Sequence, residues 1–176
     1  MRSLARQIFL SALAETSVEK SFEKHVEVSR RLLRVGEDLH DLNSFSRVVV
    51  VAMGKAAYPM AQALKRQLGM MAGGILVAPP APTAETQPML EGFRHFVGGH
   101  PLPNAESVRA ASAILGSLRS LTGPTLVIYL ISGGASSMVE KPLDDEITLD
   151  DLIATYRALV NCGGIRMPKS CRKLST

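Results

Sequence analysis

Tryptophan is absent from this 176-residue chain, and only five phenylalanines and three tyrosines provide aromatic bulk. A core must therefore be assembled from valine, leucine, isoleucine, alanine and methionine, which pack well between helices and a parallel sheet. Cysteine is scarce too. Cys162 and Cys171 lie nine apart near the end, with no second pair to complete a zinc site. No sign of secretion favours a disulfide, so both are expected as reduced thiols. No apolar run approaches the ~20 residues that span a bilayer, which argues against a membrane protein. Charge of one sign is not concentrated either: the formal net charge is +4, and most basic residues have acids nearby. Nucleic acid would require cations gathered on one face with aromatics among them, so no nucleic-acid partner is expected. A mild positive field suits an anionic small molecule.

What is present describes a globular protein, with 46% hydrophobic and 20% charged residues. The length allows one domain, or one and a part. Leu4, Ile8, Phe9, Ala12 and Leu13 form a helical apolar stripe, expected to dock on the domain. Because Arg2 and Arg6 precede the first acid, Glu15, residues 1–14 also fit a mitochondrial presequence. A cytoplasmic location is expected, and a mitochondrial one if that segment acts as a leader. A second helix is predicted from Val18 to Leu42, capped by Ser17 and interrupted near Gly36.

The pattern then changes. Arg47-Val-Val-Val-Val-Ala52 reads as a strand buried on both faces, and Ala56 to Leu68 as a helix closing at Gly69. Gly74–Ala78 and Arg94–Val97 read as further strands, separated by a proline-rich loop over Pro79–Pro88. Asn104 caps a predicted helix to about Leu118, and Thr125-Leu-Val-Ile-Tyr-Leu-Ile131 is the clearest strand. Thr148 caps a last helix to about Val160. This order predicts an α/β fold with a doubly wound, mostly parallel, Rossmann-like sheet. The division expected is helices over 1–44 packed on an α/β domain over 45–160, with a divergent tail over 161–176.

Three sequences fall at strand ends, where open parallel sheets bind ligands. Met53-Gly54-Lys55-Ala56 sets a lysine in the first turn of the following helix, where the dipole disfavours a cation unless an anion is also present. A lysine whose stem bends into solvent explains it equally well. The Walker A spacing is missing, as is G-x-G-x-x-G after this strand. Ser132-Gly133-Gly134-Ala135-Ser136-Ser137 can converge its N–H groups on phosphate oxygens, and a plain tight turn is the alternative. In Gly98-Gly-His-Pro-Leu-Pro103, His100 could bind substrate or move a proton, although a local hydrogen bond is favoured. Asp144, Asp145 and Glu146 are expected on a solvated loop rather than on Mg²⁺.

Together these residues resemble the type-2 glycerate kinases, also called hydroxypyruvate reductases, whose C-terminal part is the MOFRL domain. The likeness rests on Val49-Val-Val-Ala-Met-Gly-Lys-Ala-Ala57, Gly99-His-Pro-Leu-Pro103 and Leu130-Ile-Ser-Gly-Gly-Ala-Ser-Ser137, followed by Pro142 and Ile147-Thr-Leu149. It extends over about residues 1–160. The resemblance implies a glycerate 2-kinase using ATP and Mg²⁺, with D-glycerate as substrate. Lys55 falls on the family's active-site lysine. Ser132, Gly133, Gly134, Ser136 and Ser137 fall on its phosphate loop, and Gly54 and His100 lie beside the substrate. Ala135 stands where the family usually has a third glycine. Family members are more than twice as long, so the sheet is expected to be incomplete relative to theirs. Weak or no activity alone follows, and with it pairing with a complementary chain or a second copy. A phosphate- or nucleotide-binding remnant and a hydroxypyruvate reductase are the competing readings.

Overall fold

A computed structural model of the protein describes residues 2–80 and 88–161. Helix α1 (Arg2–Glu15) is followed by α2 (Val18–His25), which Ser17 caps by accepting from the Lys20 N–H. The expected docking of α1 is not seen: Leu4, Ile8, Phe9, Leu10 and Leu13 are all 50–64% exposed. In the next segment Phe22, Val26 and Val28 do pack against the buried cluster.

The long helix predicted to Leu42 ends at His25. Three short strands replace the rest: β1 (Val26–Ser29), β2 (Leu32–Val35) and β3 (Asp38–Asp41), an antiparallel sheet in that order. Arg30 and Arg31 form the first two-residue turn, both at positive φ (51° and 64°), and Gly36 enters the second at φ 58°. Such turns match the twist of paired strands, but the usual Asn-Gly or Asp-Gly signature is missing from the first. Leu33, 2% exposed, and Leu42, fully buried, carry the inner face of this segment into the main core. The Pro79–Pro88 loop lies largely, and the Cys162–Thr176 tail wholly, outside the described residues.

The main sheet follows the predicted pattern. Strand β4 (Arg47–Met53) leads to α3 (Ala57–Leu68), then β5 (Gly74–Ala78), β6 (Phe93–Val97), α4 (Ala105–Arg119) and β7 (Thr125–Ile131). A short turn of helix, α5 (Ala135–Met138), and α6 (Leu149–Asn161) complete the described chain. The four strands are parallel in the order β6-β5-β4-β7. Alternation along β4 sorts its side chains between two layers. Val48, Val50 and Ala52 join Ala61, Leu64 and Leu68 of α3, whereas Val51 joins Ala110 and Ile114 of α4. Helices on both faces make the sheet doubly wound, as the sequence predicts.

Candidate functional site

Strand order decides where a ligand can enter. From β4 the chain winds outward through β5 to β6, then returns to set β7 on the other side of β4. The direction reverses between β4 and β7, whose last residues Met53 and Ile131 are register partners. Loops leaving two neighbouring strands in opposite directions open a crevice at their carboxyl ends. Both signature loops, 54–56 and 132–134, start there.

The two loops are laced together. Ser132 donates its N–H to Met53 O (3.0 Å), and its Oγ accepts from the Ala56 N–H (2.9 Å). Lys55 donates its backbone N–H to Gly133 O (2.9 Å). Gly54 makes this closeness achievable. Its φ is 111°, and a Cβ there would lie 2.5 Å from both the carbonyl and the hydroxyl oxygen of Ser132. Lys55 sits one residue ahead of Ala56, the N-cap of α3, rather than inside the first turn. Its side chain is exposed, and none of the three ion pairs among the described residues uses it.

In the Ser132 loop, Gly134 adopts φ 88° and leads into α5. The N–H groups of Gly133 and Gly134 donate to no acceptor among the described residues, so both remain available to an anion. Ser136 is exposed, while Ser137 is 3% exposed and turned inward. The third loop closes on this one. His100 Nδ1 lies 3.1 Å from Ser137 Oγ, and the ring packs where a Cβ on Gly134 would be 3.1 Å away. Gly98 N–H donates to Ala78 O (3.0 Å), and the fully buried Ser107 accepts from the Gly99 N–H (3.0 Å). The same serine completes a capping box with Asn104 at the start of α4. Gly54, Lys55, His100, Ser132, Gly133 and Gly134 therefore lie on loops at one end of the sheet, with Ser136 and Ser137 in the short helix α5 that follows the last of them. The hydroxyls of Ser132 and Ser137 are engaged within the protein, Lys55 and Ser136 are exposed, and the Gly133 and Gly134 N–H groups have no acceptor among the described residues.

Tyr156 was not singled out in the sequence. From α6 its hydroxyl reaches Glu140 Oε2 (2.6 Å) and Ser136 O (3.1 Å), tying the last helix to the glycine-rich loop. Burial, then the hydrogen bond donated to Glu140 and that carboxylate's negative charge, push its pKa up to about 12. The available signal was a lone aromatic with a polar tip on an otherwise aliphatic helical face. Asp144, Asp145 and Glu146 are exposed, and no group of three His, Cys, Asp or Glu among the described residues could hold a metal ion. No helix of the described residues is long and apolar enough to cross a membrane.

Comparison with known proteins identifies the family and agrees with the fold. The family described as a domain of unknown function (DUF4147) matches residues 4–166. The chain belongs to that family. Among its relatives, a D-glycerate 2-kinase of Thermotoga maritima is 32% identical over 130 residues, covering 73% of this chain and 30% of its own. A glycerate kinase of Rattus norvegicus is 28% identical over 174 residues, covering 89% of this chain and 33% of its own. A solved protein from Pyrococcus horikoshii OT3 superposes with a TM-score of 0.74 at 28% identity, over 92% of this chain and 36% of that one. The chain thus spans about a third of the length of these relatives.

Proposed function

We propose that the β4, β6 and β7 loops form one wall of a glycerate 2-kinase site. ATP would transfer its γ-phosphoryl group there to the 2-hydroxyl of D-glycerate. The observation that carries this reading is the pairing, at the sheet's reversal point, of an exposed, unpaired Lys55 with the free N–H groups of Gly133 and Gly134. In phosphoryl transfer the protein mainly positions reactants and offsets charge. The new P–O bond forms at the glycerate 2-oxygen as the bond to ADP breaks, and the hydroxyl proton passes to solvent. Lys55 offsets the anionic charge of the substrate carboxylate or the moving phosphoryl group. Gly133, Gly134 and Ser136 donate to phosphate oxygens. Ser132 and Ser137 act from behind, one holding the Lys55 turn and the other holding His100. Gly54 and His100 border the acceptor side.

The residues present fit the phosphates of ATP but not Mg²⁺. None of the three loops contains a carboxylate, and Glu140 is already hydrogen-bonded to Tyr156. The test is ADP release with D-glycerate, ATP and Mg²⁺, first with the chain alone and then with the other two thirds of a relative supplied in trans. Little or no turnover is expected alone, because a kinase cleft must enclose both substrates. Turnover is expected on complementation, falling at least ~100-fold in Lys55→Ala. Full turnover by the chain alone, or an unaffected Lys55→Ala, would overturn the reading.

A second reading is a non-catalytic phosphate-binding subunit that pairs with another chain. It is favoured by β7, which is an edge of the main sheet among the described residues and leaves Tyr129 and Ile131 48% and 62% exposed. Relatives from Agrobacterium vitis bear a hydroxypyruvate reductase name, one of them 37% identical over 119 residues. The β4 turn, with Gly54 as its single glycine, gives that reading no dinucleotide fingerprint.

A further inference from the structure

The amino-terminal end of the main sheet carries a second concavity, separate from the loops described above. It is an open depression of about 970 Å³, framed by the starts of β4 and β5, the approach to β6 and the last turns of α3 and α4. Arg31, Arg47, Lys65 and Arg94 line it, with Glu91 as the one acid. The described residues together carry sixteen cations and fifteen acids, a net charge of +1. A local excess of three positive charges is therefore a concentration, not a sample of the surface.

Two bland explanations can be weighed. The first is that these cations neutralise acids, yet none of the ion pairs among the described residues includes any of the four. Their contacts are with uncharged groups instead. Arg31 Nη1 approaches Met71 Sδ (3.8 Å), Lys65 Nζ donates to the Glu91 backbone carbonyl, and the Arg94 guanidinium lies 4.9 Å from the Phe96 ring centre. Such contacts orient a cation and leave its charge intact. The second explanation is that they compensate the carboxyl ends of α3 and α4. Each helix end is worth about half a negative charge, so the two account for about one of the three. A surplus of roughly two positive charges remains.

We propose that this depression binds a small polyanion bearing two or more phosphate groups, at a site distinct from the Lys55 crevice. Arg31, Arg47 and Arg94 supply planar donors suited to phosphate oxygens, Lys65 a point charge, and Ser117 a neutral donor. The proposal does not depend on the kinase reading, because the two sites lie at opposite ends of the sheet.

Inorganic pyrophosphate titrated into the whole chain at low ionic strength, followed by calorimetry and amide chemical shifts, tests it. A saturable event is expected with shifts around Gly73, Gly92 and Ser117, separable from any shift at Gly133 and Gly134, and with an affinity that falls with added salt. Arg47→Gln combined with Arg94→Gln should weaken binding at least ~100-fold, about tenfold or more per arginine. Lys55→Ala and the distant Arg157→Gln should leave it unchanged. Arg31→Gln, on a separate hairpin, gives an independent second variant should the double one prove unstable. Absence of saturable binding, loss of that event in Lys55→Ala, or equal weakening by Arg157→Gln would overturn the proposal.

Discussion

Strands β4 and β7 are neighbours of equal length, paired residue for residue from Arg47 and Thr125 to Met53 and Ile131, and both are almost wholly apolar. Their surroundings differ. Every residue from Val48 to Ala52 is at most 8% exposed, whereas β7 buries Leu130 to 7% and leaves its neighbours Tyr129 and Ile131 open. Strand β4 has a partner on each side and a helix on each face. Strand β7 has one partner among the described residues, and although Leu126, Ile128 and Leu130 pack on the α3 side and Val127 on the α4 side, of these residues Leu130 alone is buried. The lesson is that an apolar run specifies a strand, while its place in the sheet order sets how much of that run is removed from water. A long parallel edge strand with no charge, proline or bulge is a surface prepared for pairing.

The largest effect should come from breaking the joint between these two strands. Gly54→Val is expected to destabilise by at least ~3 kcal/mol in urea denaturation, since both its positive φ and the Ser132 contact forbid a side chain. A normal midpoint would mean that the loops are not laced in solution. Truncation within the strands sharpens the contrast itself. Val50→Ala should lose about 2 kcal/mol and Ile131→Ala about 0.5 kcal/mol or less. Equal losses would show that something covers β7 in solution, and would move weight to the pairing-subunit reading. Ser132→Ala removes the acceptor for the Ala56 N–H and should cost about 1–2 kcal/mol.

The smallest effect concerns the pH dependence of the α6 tie. Tyr156 has its pKa raised in the folded state, first by burial and then by Glu140. Between about pH 10 and pH 12 the unfolded chain would have lost this proton while the folded one keeps it, so stability should fall as pH rises through that window. Below pH 10 the contribution is constant. Denaturation midpoints from pH 9 to pH 12 should therefore show a slope that flattens in Tyr156→Phe. An unchanged slope would mean that the hydroxyl is not held against Glu140.

Legibility varied along the chain for identifiable reasons. The Thr125–Ile131 strand and the Asn104 and Thr148 caps were readable because each rests on local chemistry, a β-branched run or a side chain that accepts from its own helix. The Val26–Asp41 sheet was not, because apolar residues among many charges also fit a helical period and Arg30-Arg31 is not a usual hairpin turn. The candidate site was readable as three loops. The occupation of the Ser132 hydroxyl by Ala56, 76 residues away in sequence, was not. Tyr156 escaped notice for the same reason, since its partners Glu140 and Ser136 lie on other elements.

The sequence by itself determined the four parallel strands, the helices between them and the glycines that allow the sharp exits at Gly54 and Gly134. These follow from rotamer, capping and φ preferences that act over a few residues. Only the tertiary structure decided that β7 pairs with β4 rather than extending the β6 side, and so that Lys55 and Gly133 meet. It also decided that α1 stands exposed and that four cations far apart in sequence share one depression. Strand order, helix docking and charge clustering depend on contacts between distant residues, and those contacts exist only once the chain has folded.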